Sequence, residues 1–225
     1  MNFFKKKILV KYFSPLVKED AKNMVRSIPY NYPNYFATIP KTRFEPTLKK
    51  FLPFLNTIKT CPGFINLYKR SLLVTSPFDI YVELNDKEIV LQKIGKLNWE
   101  TVKVHSNEQL LNYVNTKDYK FILKIELPFI LKSDVSLLLS DSSYHFNNLN
   151  VFSGIISKNY DSTISFFIPI KKETNTIYIK KEDPLFLITP LCENKIDLKF
   201  KKTAEEINQS LTFSELKKFI LDKVT

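Results

Sequence analysis

Glycine is nearly absent from this chain: Gly63, Gly95 and Gly154 are the three in 225 residues. So few glycines exclude a glycine-rich loop whose backbone amides cradle phosphate groups. Histidine and cysteine are as scarce, with His105, His145, Cys61 and Cys192 accounting for all of them. None sits at a metal-ligand spacing: no His-x-Asp pair suits an iron oxygenase and no Cys-x-x-Cys suits zinc. Two cysteines make no disulfide framework and fit a reducing interior. No serine stands in a nucleophile elbow. No apolar run approaches the ~20 residues of a membrane span, and Ile8–Val10 is too short for the core of a signal peptide. These absences leave no catalytic, cofactor-binding or metal-binding residue to nominate, and no cofactor to expect. Arginine is rare too, three residues against 31 lysines. With abundant Asn, Ile and Phe, that ratio reads as the codon bias of an AT-rich genome.

What is present is a β pattern. Ile164, Phe166, Ile168 and Ile170 alternate with Thr163, Ser165, Phe167 and Pro169, the two-residue period of a strand with one apolar face. Ile177 and Ile179 repeat it after the polar turn at Lys171–Asn175. Leu185–Ile188 is apolar on both faces, as a strand buried in a core would be, and Ile196, Leu198 and Phe200 alternate with Asp197, Lys199 and Lys201. Lys7–Phe13, Leu72–Val74, Phe78–Leu84, Glu88–Lys93, Phe121–Leu127 and Val135–Leu139 read as further strands. Short strands about a dozen residues apart predict a mainly β (α+β) protein, a compact antiparallel sandwich or barrel. Asn85-Asp86 reads as a turn, and Asn159–Asp161 and Asp183-Pro184 as turns with solvated carboxylates.

Helical signals are few. Cys61-Pro62-Gly63-Phe64 opens a short helix through about Arg70, with Pro62 in its first turn. Ser106-x-x-Gln109 is a capping box before Leu110, Leu111 and Val114. Thr203-x-x-Glu206 and Thr212-x-x-Glu215 are two more near the end. Phe213, Leu216, Phe219 and Ile220 then form an apolar stripe that predicts a C-terminal helix docked on the β core. The expected division is an N-terminal arm and short helix over 1–70, a β core over 71–200 and a helical segment over 201–225.

The arm has its own character. Pro29, Pro33, Pro40, Pro46 and Pro53 punctuate a stretch carrying Tyr30, Tyr32, Tyr35, Phe36, Phe44, Phe51 and Phe54. Prolines at that spacing forbid long helices and central strands. So many rings predict an extended segment lying across a surface, either its own core or a partner. Residues 1–70 also hold 14 basic and three acidic side chains, whereas residues 71–225 hold 20 of each. Codon bias would spread the excess evenly. Lys5, Lys6, Lys7, Arg26, Arg43, Lys49 and Lys50 are therefore the candidates to face a partner, an acidic protein or the phosphates of nucleic acid. Tyr144 and His145, just before the most regular strands, are candidates for the mouth of a pocket.

Two resemblances extend this reading. Ser153-Gly154-Ile155-Ile156-Ser157-x-x-Tyr160, then Ile164–Ile168, then Ile177-x-Ile179-Lys180-Lys181-Glu182-Asp183-Pro184-Leu185 resemble the β-clip core of the trimeric deoxyuridine triphosphatases. In that family a Gly-Val-Ile-Asp turn supplies the base for water attack. Here Ser157 holds the aspartate's place and Glu182 that of a turn glycine. An uncharged serine cannot take the water's proton as a carboxylate does, so this resemblance implies a fold rather than an activity. Cys61–Lys69, Ser76-Pro77-Phe78-Asp79-Ile80, Tyr144-His145 and Lys181–Leu191, in that order, are similar to landmarks of an uncharacterised family encoded by tailed, often marine, bacteriophages. That similarity implies a phage origin and assigns no catalytic residue. The expectation is a non-enzymatic β-domain protein acting through its surface, a structural or assembly component found in the virion or the host cytoplasm. Its partners would be other viral subunits or further copies of itself, with nucleic acid as an alternative and no membrane. A nucleotide- or sugar-pocket enzyme on the same core is the rival from another class.

Overall fold

The computed structural model describes residues 6–13, 22–26, 32–44, 54–84, 89–94, 102–105, 119–142, 149–192 and 196–203. Fifteen strands are described: β1 (Lys6–Phe13), β2 (Val25–Arg26), β3 (Thr42–Phe44), β4 (Phe54–Asn56), β5 (Leu72–Thr75), β6 (Asp79–Leu84), β7 (Ile89–Ile94), β8 (Val102–His105), β9 (Tyr119–Ser133), β10 (Leu137–Asp141), β11 (Gly154–Ile156), β12 (Asp161–Lys171), β13 (Thr176–Ile179), β14 (Pro184–Pro190) and β15 (Ile196–Thr203). One sheet has the order β12-β9-β1-β15, with β8 also on β9. A second has the order β11-β10-β14-β5-β2, a third β13-β6-β7, and β3 pairs β4. The protein is mainly β, with antiparallel sheets packed around a common core.

The alternation read from the sequence sets that core. Ile8 and Val10 of β1, Leu123 to Leu131 at every second position of β9, and Ile164 to Ile170 at every second position of β12 turn one face of the first sheet inward. Leu72, Val74, Leu137, Leu139, Phe186 and Ile188 meet them from the second sheet, and the rings of Phe166 and Phe186 lie 5.1 Å apart across the interface. β14 is apolar on both sides because it has two interiors to fill. Phe186 and Ile188 face the main core, whereas Leu187 joins Leu73, Phe64 and Tyr68 in a second cluster on the outer face. That cluster seats the helix Pro62–Arg70, which starts at Pro62 as its missing N–H predicts.

Three expectations change. Residue 70 does not mark where the core begins: β1 lies between β9 and β15, and Met24 and Val25 are buried in the same core. The sandwich is not wholly antiparallel, since β1 and β15 run parallel. And β9 continues past Leu127 to Ser133 despite Pro128. A proline inside a strand must fall where no ladder bond is needed. On one edge of β9, β8 pairs residues 122–125 and β1 pairs 129–133. On the other edge, the register with β12 shifts between Thr163 and Ser165. Pro128 occupies the gap on both sides. The helices expected near residues 106–114 and 203–222 lie outside the described residues, except that Thr203 ends β15. The turn at Asn85-Asp86 lies outside them too.

Candidate functional site

Two segments singled out by sequence, Ser76–Asp79 and Lys180–Asp183, prove to be one structure. Ser76 N donates to Asp183 O at 2.9 Å and Glu182 N donates to Ser76 O at 2.8 Å. Lys181 N donates to the Asp79 carboxylate at 2.7 Å and Lys180 N to the Asp183 carboxylate at 2.8 Å. Both carboxylates thus accept from backbone amides at the surface of the turn. Asp161 also has partners: its two oxygens lie 3.3 Å from Lys11 Nζ and 3.1 Å from Lys132 Nζ. Glu182 has φ 71°, a left-handed conformation that side chains other than glycine, asparagine and aspartate rarely adopt. The turn keeps its sharpness although the glycine is missing.

Arg26 closes this junction. Its Nη2 lies 2.7 Å from Glu182 Oε2 and its Nε donates to Asn23 O at 2.7 Å. An arginine expected to face a partner is engaged within its own chain. Arg70, the third arginine, donates to the Cys192 carbonyl. Two of the arm's rings, Tyr32 and Phe36, are engaged as well. Tyr32 stacks on Phe36 at 4.6 Å, Phe36 on Phe64 at 5.5 Å, and Phe64 lies 4.6 Å from Tyr68. Burial pushes the Tyr32 phenol above its ordinary range. Lys59 caps the stack, 5.7 Å above Phe36. Of the other basic candidates, Lys7 is exposed on β1, and Lys6 and Arg43 lie in β1 and β3. Lys5, Lys49, Lys50, Tyr144 and His145 lie outside the described residues.

A carboxylate that sequence reasoning passed over stands at the end of β10. Asp141 Oδ1 is buried with no hydrogen-bond partner among the described residues. Loss of solvent pushes this carboxyl above its ordinary value, offset in part by a hydrogen bond from the Ser142 backbone. Ser142 is itself fully buried and donates to Leu185 O at 3.1 Å. No alternation marks Asp141 as special. The only signal was an acid at the end of an apolar strand. Among the described residues, no group of three or more His, Cys, Asp and Glu side chains is placed to hold a metal ion.

Two outward faces remain. On the second sheet, register places Ile155 opposite Leu138. Leu191 N donates to Ser136 O at 2.9 Å, which sets Leu191 beside that pair on the same side. Ile155 is 70% exposed and Leu191 50% exposed, while Leu138 is half-buried. The helix Pro62–Arg70 covers Leu73 and Leu187 on this face and leaves this end open. The first sheet turns lysines outward: Lys11 opposite Lys201 and Lys103 opposite Lys124, with Lys132 opposite Leu9. Alternation in sequence marks Lys201 as outward, whereas Lys103 and Lys132 fall outside the strands expected from sequence, and their meeting depends on strand pairing.

No described helix is long and apolar enough to cross a membrane. Comparison of the chain with protein-family models, with curated proteins and with solved structures finds no match.

Proposed function

We propose that this is a non-enzymatic β-domain protein that works by surface contact with other protein subunits, as a structural or assembly component of a phage particle. The observation that supports the contact role is the apolar end of the second sheet, where Ile155, Leu138 and Leu191 adjoin on one face. Single exposed apolar side chains need no explanation, but contiguous ones mark a surface that another protein covers. The phage setting rests on the resemblance of the Ser76–Ile80 and Lys181–Leu191 segments. Their hydrogen-bonded junction gives those segments a shared structural task. Quantitative mass spectrometry of purified particles tests the role: a defined copy number per particle is expected, and a copy number near zero would overturn it. The paired substitution Ile155→Asp and Leu191→Asp should leave the fold intact and abolish incorporation.

Asp141 favours a second reading, an enzyme with a nucleotide or sugar pocket. A carboxyl with an orphaned oxygen and a raised pKa is a candidate acid, and it precedes Tyr144 and His145 in sequence. A thermal-shift screen with nucleotides and sugars separates the two readings. A ligand at 100 times its dissociation constant adds about 2.7 kcal/mol of stability, and no shift across the panel counts against the enzyme.

A further inference from the structure

We infer that the outer face of the first sheet is a docking surface for a strand of nucleic acid, held through its phosphates. Directly opposite residues on one face of a sheet have Cβ atoms about 5 Å apart, and like charges there destabilise the pair. Register nevertheless sets Lys11 opposite Lys201 and Lys103 opposite Lys124. The same rule turns Lys132 and Lys199 outward, each opposite Leu9 from the two sides of β1. Ile8 and Val10, Leu123 to Leu131 at every second position, and Leu198 and Phe200 point the other way, into the core, although Ile122 and Ile130 are buried on the lysine side.

The acids on this face do not cancel the charge. Asp161 is shared between Lys11 and Lys132, Asp197 lies 3.5 Å from Lys199, and Glu126 accepts from Thr163 Oγ1 at 2.8 Å. Lys103, Lys124 and Lys201 have no ion-pair partner among the described residues, and Lys103 and Lys201 are exposed. Lysine abundance from codon bias explains how many lysines there are, not why they oppose one another across strands. A flexible polyanion does explain it, because each phosphate replaces lysine–lysine repulsion with attraction and releases bound counterions. At about 3.3 Å per residue, Lys124 and Lys132 are roughly 26 Å apart along β9. Glu126 and the buried Ile130 stand between them, so the charge falls in two groups, which a flexible single strand can bend to reach and a stiff duplex cannot. This surface is separate from the apolar end of the second sheet and does not depend on the assembly role.

The test is fluorescence anisotropy of the full chain with a labelled 20-nucleotide single strand and with the matching duplex, at 50 and 200 mM salt. Binding of the single strand is expected to weaken roughly 100-fold over that range, as about five neutralised phosphates require. Lys103→Glu with Lys124→Glu should lower affinity at 50 mM salt at least about tenfold and flatten the salt slope. Lys69→Glu with Lys180→Glu changes net charge equally at sites off this face and should have little effect. Lys103→Gln with Lys124→Gln, checked by circular dichroism and thermal melting, separates lost contacts from lost folding. Equal losses from both charge-reversed pairs would reduce the binding to net charge and overturn the face. Loss caused instead by Lys49→Glu with Lys50→Glu would move the site to the arm and also overturn it. Tighter binding to the duplex would refute the single-strand assignment. Binding to polyglutamate but to neither nucleic acid would make the partner an acidic protein and refute it as well.

Discussion

At Glu182 a side chain stands where the backbone would be most at ease with glycine. Its φ of 71° costs a non-glycine residue roughly 1–2 kcal/mol. Three hydrogen bonds hold the turn against that cost: Glu182 N to Ser76 O, Lys181 N to Asp79 and Lys180 N to Asp183. Glycine would relieve the strain, but it would forfeit a surface ion pair worth at most about 1 kcal/mol and loosen the unfolded chain. Glu182→Gly should therefore stay within about 0.5 kcal/mol of wild type. Glu182→Val, which keeps the strain and adds a branched Cβ, should cost about 1–2 kcal/mol in urea denaturation. Asp141 gives a pH-dependent counterpart. Because its folded-state pKa is raised above the ordinary 3.8, the folded state binds the proton more tightly than the unfolded one. Ionising the group therefore opposes folding. That burden is absent below about pH 3.8 and grows as pH rises through the folded-state value. Asp141→Asn should raise the melting temperature at pH 7 and lose most of that advantage at pH 3.5. A gain that is the same at both pH values would refute the account.

Among the elements, those with clean alternation were legible and those fixed by neighbours were not. β12 and β13 follow from the spacing of Ile164 to Ile170 and of Ile177 with Ile179, because period-two burial is a local property. The helix Pro62–Arg70 follows from Pro62. The passage of β9 through Pro128 does not, since it depends on β8, β1 and β12 each leaving the same gap. Nor does the Arg26–Glu182 pair, whose members are 156 residues apart. The contact surfaces divide the same way: the alternation of Lys199 and Lys201 was readable, whereas Lys103 and Lys132 lay outside the expected strands and the adjacency of the lysines rests on pairing. Phe166→Ala should cost roughly 3–5 kcal/mol, because the ring is buried against Phe186 between the sheets. Wild-type stability in that variant would mean the strand faces the other way. In the arm, the stack of Tyr32, Phe36, Phe64 and Tyr68 predicts slow trypsin cleavage at Lys41 in the isolated chain. Phe36→Ser should accelerate it, since weakly packed backbone is where nicking concentrates.

For the whole molecule, charge per segment misleads in a way that charge per face does not. Residues 71–225 balance in sum, yet Lys103, Lys124, Lys132 and Lys201 share a face with Lys7 and Lys11 of the basic start. The asymmetry read along the chain is one edge of an asymmetry in space.

The parallel pairing of β1 with β15 has a consequence in time. Lys6 meets Ile196 and Phe13 meets Thr203, so the first described strand waits for the last. At about 5–20 residues per second of synthesis, roughly 10–40 s separate them on the ribosome. Throughout that interval the edge of β1 that will receive β15 stays open, a template for any passing strand. Closing a ring of that length late also makes for slow folding. The lysines at positions 7 and 11, outward on that same strand, would then guard it by repulsion against another nascent copy before they serve any other purpose.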